Sequence, residues 1–387
     1  MSLRNTRVPG AVVLAIAGVA AGSAWAAEPA KAPRDIAPLL KPLRDAHDMP
    51  AMAGAVVQGG RLVALGATGV RRRGSDEPVT PADRFHIGSC TKSMTATLIA
   101  TFVEEGTLSW TTTVGDAFPD LKGTMHEGWR AVTLEQLLTH RAGAPANLDA
   151  DGLWGRLWAH AGTPVEQRRM LVEGVTRRAP DPPPGTRHVY SNAGYAIAGS
   201  MLETVVNRSW EDLLRERLFE PLGMASAGFG APGTKGRIDQ PLGHTAAGNP
   251  VELGPGSDNP AAIGPGGTVH CALGDWARYA ALHLPGGRGG GVRLKPETFE
   301  RLHAPAPGEG QAYAMGWVVC DRDWGGGRVL MHAGTNTMWY AVVWLAPKRD
   351  FAVLVAANQG GDAAAKACDQ GAWALIQDHL RRAPPPK

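Results

Sequence analysis

The placement of its strand-like segments constrains this chain more than any other feature. Near the start, Ala53-Gly54-Ala55-Val56-Val57 and Arg61-Leu62-Val63-Ala64-Leu65 flank Gly59-Gly60, the signal of a two-residue hairpin turn. Comparable segments return only in the last quarter: Tyr313 to Cys320, Arg328 to Met331, Met338 to Ala346 and Phe351 to Ala357, with Pro347-Lys348-Arg349-Asp350 as a short turn. Everything between reads as helix and loop. Ser89 to Glu105 carries Met94, Leu98, Ile99, Phe102 and Val103 at helical spacing, and Gly106 stands at the position that ends a helix. Thr133-Leu134-Glu135-Gln136 is a capping box. Ser191 to Val206, Trp210 to Leu218 and Leu273 to Leu284 are further helices, and Gly264-Pro265-Gly266-Gly267 reads as a loop before the last. Ile36 to His47 and Asp362 to Arg382 add a helix at each end.

Strands at both ends with helices between them imply an α/β fold of the α+β type. One antiparallel sheet is built from both termini, flanked by the terminal helices, and a large, mostly helical region is inserted. The expected organisation is a single domain over 27–387, with the sheet part at about 34–88 and 311–387 and the helical part at about 89–310. Gly286 to Gly291 holds a GxGxxG-like run, but it follows a helix rather than a strand and reads as a loop, not a dinucleotide site.

Residues 1–26 read as a signal peptide. Arg4 and Arg7 form a positive start, Ala11 to Ala21 a short apolar run, and Ala24-Trp25-Ala26 a cleavage pattern before Ala27. That run is too short to span a bilayer, which takes roughly 20 residues. The expectation is an exported protein, periplasmic or extracellular, with no stable membrane insertion after cleavage. Removing the two arginines takes the formal charge from +3 to 3 − 2 = +1. The densest basic run is Arg71-Arg72-Arg73, so a nucleic-acid or anionic-membrane footprint is not expected. None of the four cysteines has CxxC spacing. Cys90 is expected buried and free, and Cys320 with Cys368 is the first pair to test for a disulfide.

Three short motifs carry chemistry. Ser89-Cys90-Thr91-Lys92 is the only Ser-x-x-Lys in the chain. At i and i+3 the two side chains share a helix face, and a lysine with a lowered pKa can activate a serine. Taken alone, the match equally describes a serine capping an ordinary helix. Tyr190-Ser191-Asn192 is the only Tyr-x-Asn. Tyr190 is a candidate proton carrier beside the lysine, and Asn192 a candidate to orient the lysine or a substrate amide. By itself it would read as a helix cap. His332-Ala333-Gly334 follows a predicted strand, and the next N–H, of Thr335, is placed to share an oxyanion with that of Ser89. On its own this is a strand-end turn. Trp154, Trp158 and Trp339 are candidates to line an apolar cleft, and His140 is expected to interact with the end of its own helix. The chain has no GxSxG, no HExxH and no histidine cluster at metal-ligand spacing.

In this order the three motifs resemble the serine β-lactamase and penicillin-binding-protein superfamily, nearest to class C β-lactamases and the family VIII carboxylesterases, D-aminopeptidases and D-alanyl-D-alanine carboxypeptidases related to them. The similarity extends to Phe85–Lys92, Leu137–Gly143, Tyr190–Tyr195, Glu220–Met224 and Gly264–Gly267. It implies a serine hydrolase that forms an acyl-enzyme on Ser89. Lys92 and Tyr190 would be catalytic, and Asn192, His332, Gly334 and Thr335 would bind substrate or the oxyanion. No metal or cofactor is implied. The substrate is a small ester, β-lactam or D-amino-acid peptide. Two departures separate the chain from true β-lactamases. His332 stands where a lysine is expected, and Asn336-Thr337-Met338-Trp339 is bulky where small residues are common. Both favour an ester or D-amino-acid amide substrate. The alternatives are a class C-like β-lactamase and a penicillin-binding sensor that acylates without turnover.

Overall fold

In the computed structural model, residues 32–288 and 290–382 are described; the expected signal segment lies outside them. A seven-stranded sheet runs in the order Arg34–Asp35, Arg61–Gly69, Ala51–Gln58, Phe351–Ala357, Tyr340–Ala346, Gly327–Thr335, Val318–Arg322. The two ends of the chain meet at its centre, where Ala51–Gln58 pairs antiparallel with Phe351–Ala357, for example Val56 with Val353. Every pairing is antiparallel except the outermost, where Arg34–Asp35 runs parallel to Arg61–Gly69. The sheet is therefore mixed rather than wholly antiparallel. The Gly59-Gly60 turn forms as the sequence implies, both residues at positive φ.

Alternation along the central strands explains the layering. Met52 and Val56 face a core shared with Leu40, Cys368 and Leu375 of the terminal helices Ala37–Ala46 and Gly361–Arg382. Ala53, Ala55 and Val57 face the opposite core, built with Met94, Ile99 and Trp276 of the inserted helical region. A sheet sandwiched in this way must be apolar on both faces, and residues 51–57 are all buried.

Local signals in the helical region mostly hold. The capping box at Thr133 and Gln136 forms in both directions. Ser191 caps Asn192–Val206, its Oγ accepting from the Gly194 N–H at 3.3 Å. Gly264–Gly267, expected as loop, is instead a turn of helix. Pro265 suits its first turn, and the preceding segment is tethered by Arg168, which donates to the Ala261 carbonyl at 3.0 Å. The proposed Cys320–Cys368 disulfide is absent; all four thiols are free. Cys320 lies on the edge strand Val318–Arg322, while Cys368 packs under the Tyr340 carbonyl two strands further in. Cys90 is buried and free. Among the described residues, no helix is long and apolar enough to cross a membrane.

Candidate active site

A short strand, Arg84–His86, pairs with Val269–Ala272 and delivers the chain to Gly88. There the backbone turns left-handed (φ +50°), enters a 3-10 turn over Gly88–Cys90 and continues as the helix Thr91–Glu104. Gly88 and Cys90 are buried, while Ser89 between them is partly open. The turn presses directly on the Gly327–Thr335 strand. A Cβ on Gly88 would lie 2.3 Å from the Thr335 nitrogen, and one on Gly334 would lie 2.1 Å from the Ile87 carbonyl oxygen and 2.6 Å from the Ser89 nitrogen. Two glycines thus permit backbone-to-backbone contact, and this contact sets the amides of Ser89 and Thr335 side by side.

Lys92 sits one turn after Ser89 and is completely buried. Its Nζ lies 3.0 Å from Ser89 Oγ, 2.7 Å from Asn192 Oδ1 and 2.7 Å from the Gly266 carbonyl oxygen. Burial lowers its pKa from 10.5 to about 7, against a small opposing influence of the Cys90 thiol. Asn192 Oδ1 and the Gly266 carbonyl can only accept, so each takes one hydrogen of the Lys92 nitrogen. In the neutral amine the remaining position, facing Ser89, is the lone pair. The site is then a serine hydroxyl hydrogen-bonded to a base.

Tyr190 lies beside this pair, with Lys92 Nζ 4.7 Å from its ring centroid. The residue is 37 % exposed. Its hydroxyl end is nonetheless desolvated, which raises the phenol pKa above its ordinary value, and a hydrogen bond with Ser89 opposes that rise. His140 does not bind the end of its own helix as expected. Its Nδ1 accepts the Ser191 N–H at 3.2 Å, and its ring packs 4.4 Å from that of Tyr190.

His332 lies near the pair but turns its imidazole inward. It is 4 % exposed, with Nε2 at 3.0 Å from the Tyr313 hydroxyl and Nδ1 at 2.6 Å from the Ala333 carbonyl oxygen. Because a carbonyl only accepts, Nδ1 carries the hydrogen and Nε2 accepts from Tyr313. Burial, and then the nearby Lys92 charge, lowers the His332 pKa to about 3, so the ring is neutral at physiological pH. Tyr313 and the Gly266 carbonyl are the parts that sequence reasoning missed. Tyr313 sat inside a segment read as strand, and a backbone carbonyl leaves no mark in composition.

Of the three tryptophans singled out, Trp339 is core, packed edge-on against Phe85, and Trp158 is exposed. With Asn147, Asp149, Asn192, Asn259 and Ile263, Trp154 lines a mostly polar cavity of about 240 Å³, not an apolar cleft. That cavity meets the site only at Asn192.

Comparison with known proteins places the chain in a family. The chain is 36 % identical over 182 residues to penicillin-binding protein 4 of Amycolatopsis lactamdurans, a match covering 47 % of this chain and 45 % of that protein. It thus spans under half the length of that relative. Among solved structures, a class C β-lactamase from Rhodobacter sphaeroides superposes with a TM-score of 0.69 at 23 % identity, covering 89 % of this chain and 99 % of the other. The D-alanine carboxypeptidase AmpC from Burkholderia cenocepacia gives a TM-score of 0.69 at 20 % identity, covering 88 % and 96 %. At these identities the two structures establish the shared fold. The Beta-lactamase family model matches residues 36–377, from the first helix to the last, and the chain therefore belongs to the Beta-lactamase family.

Proposed function

We propose that the protein hydrolyses a small ester or amide by two-step acyl transfer on Ser89, with an ester or D-amino-acid amide favoured over a β-lactam. The observation that carries this reading is the 3.0 Å contact between Ser89 Oγ and a buried lysine whose pKa is about 7. Neutral Lys92 takes the Ser89 proton as Oγ bonds to the substrate carbonyl carbon. The carbonyl oxygen becomes an oxyanion held by the N–H groups of Ser89 and Thr335. As the intermediate collapses, Tyr190 gives a proton to the leaving oxygen or nitrogen and is reprotonated from Lys92. Water then attacks the acyl-enzyme, and the acid leaves as Ser89 recovers its proton.

The preference among substrates rests on His332. A substrate carboxylate on the leaving side would meet a neutral, inward-turned imidazole rather than a cation. Side-by-side initial rates on p-nitrophenyl butyrate, a D-Ala-D-Ala peptide and nitrocefin test this. A dominant nitrocefin rate overturns the preference, and a Ser89→Ala variant with full activity overturns the mechanism. The likeness to a penicillin-binding protein supports a second reading, in which penicillin acylates Ser89 without turnover. One equivalent of product followed by no steady state would select it.

A further inference from the structure

We propose that Asp258 is a positioning residue that clamps both halves of the oxyanion site; the inference rests on the acyl-transfer reading of Ser89. Asp258 is 9 % exposed. Its Oδ2 lies 2.9 Å from Nε2 of the fully buried His86. Its Oδ1 accepts from Asn336 Nδ2 at 2.9 Å and from the Asn259 N–H at 2.8 Å. Each of the two side chains is tied in turn to the site backbone. His86 Nδ1 accepts the Gly88 N–H at 3.1 Å, immediately before Ser89. Asn336 immediately follows Thr335 and accepts the Met338 N–H through its Oδ1 at 3.2 Å.

The orientations in this chain are dictated by groups with no choice of role. A backbone N–H only donates, so His86 Nδ1 is its lone-pair nitrogen, and Nε2 holds the hydrogen that goes to Asp258. By the same logic Asn336 Oδ1 faces Met338, and its amide nitrogen must face Asp258. One carboxylate therefore links the residue before Ser89 to the residue after Thr335, and so braces the intervening Ser89 and Thr335 amides, whose separation must suit a single oxygen. Neither the carboxylate nor the ring touches the reacting atoms, so they act through the backbone.

Asp258→Asn breaks the logic with almost no change of shape. If the new amide nitrogen faces His86 Nε2, the ring must move its hydrogen to Nδ1, where it opposes the Gly88 N–H. If it faces Asn336 instead, two donors meet there. The test measures the rate of fluorophosphonate labelling at Ser89, and kcat and KM on p-nitrophenyl butyrate, for the parent, Asp258→Asn, Asn336→Ala and the double variant. All are assayed below their melting temperatures. Expected is a fall of about ten- to a hundredfold in labelling rate and kcat, less than the 10²–10³ lost when an oxyanion donor is removed outright. KM should stay within about twofold, and the double variant should be no slower than the worse single one, since both act through one clamp. Asn336→Ala carries the test if Asp258→Asn does not fold. Folded variants that label within about twofold of the parent, or a loss that only tracks the unfolded fraction, overturn the clamp. A parent that does not label at Ser89 overturns the acyl-transfer reading, and the clamp with it.

Discussion

The carbonyl oxygen of Gly266 lies 2.7 Å from Lys92 Nζ, and it determines where the lysine's lone pair points. With Asn192 Oδ1 it occupies two of the amine's hydrogens, leaving the third direction for Ser89. What favours the neutral amine is burial, because an ammonium in so fully buried a position is costly.

Activity should follow that titration. In the proposed mechanism neutral Lys92 is the reactive form, and its pKa is about 7, so kcat/KM should rise as pH passes upward through 7 and then level off. Lys92→Met should lower kcat/KM by about 10²–10⁴-fold and abolish the rising limb. A pH–rate profile of both proteins on one ester checks this.

The contact between the serine turn and the Gly327–Thr335 strand should tolerate no side chain. Gly334→Ala places a methyl 2.1 Å from the Ile87 carbonyl oxygen and 2.6 Å from the Ser89 nitrogen. Backbone must move, and kcat is expected to fall by at least about a hundredfold, the scale of losing one oxyanion donor. Steady-state kinetics, with circular dichroism to confirm folding, reads the result.

Replacing His332 with the lysine found in β-lactamases should not create a β-lactamase. The position is buried and close to Lys92, and its present occupant is held by Tyr313 and the Ala333 carbonyl. An ammonium buried there lacks a counter-charge, and His332→Lys is expected to cost about 3–5 kcal/mol of stability. The checks are denaturant melts and nitrocefin turnover, which should not rise.

Arg168 offers a separate test of the scaffold. It is fully buried between the carboxylates of Glu203 and Glu211 and also holds the Ala261 carbonyl just ahead of Gly264–Gly267. Arg168→Met leaves two carboxylates without their cation and should destabilise the protein by about 3–5 kcal/mol. Loss of the tether to Ala261 should also lower kcat through Gly266. Denaturant melts and kinetics at a temperature where the variant is folded separate the two effects.

Export is proposed from Arg4, Arg7 and the Ala24-Trp25-Ala26 pattern. N-terminal sequencing of protein recovered outside the cytoplasm should begin at Ala27. Intact Met1 on that material would refute cleavage.

Local patterning carried much of this protein. The strand-like segments flanking the Gly59-Gly60 turn located the first hairpin, and Thr133 with Gln136 marked a helix start, because near neighbours along the chain encode those signals. The i, i+3 spacing likewise put Ser89 and Lys92 on one turn. Tertiary packing decided the rest. The Gly266 carbonyl reaches Lys92 across 174 residues of chain, and Asn192 across 100. The lysine's lowered pKa comes from surrounding protein displacing water, a property of the packed site and not of any motif. His332 shows the division most clearly. Its identity was legible as the absence of a cation, but only the folded chain, by placing Tyr313 against Nε2, turned the imidazole inward.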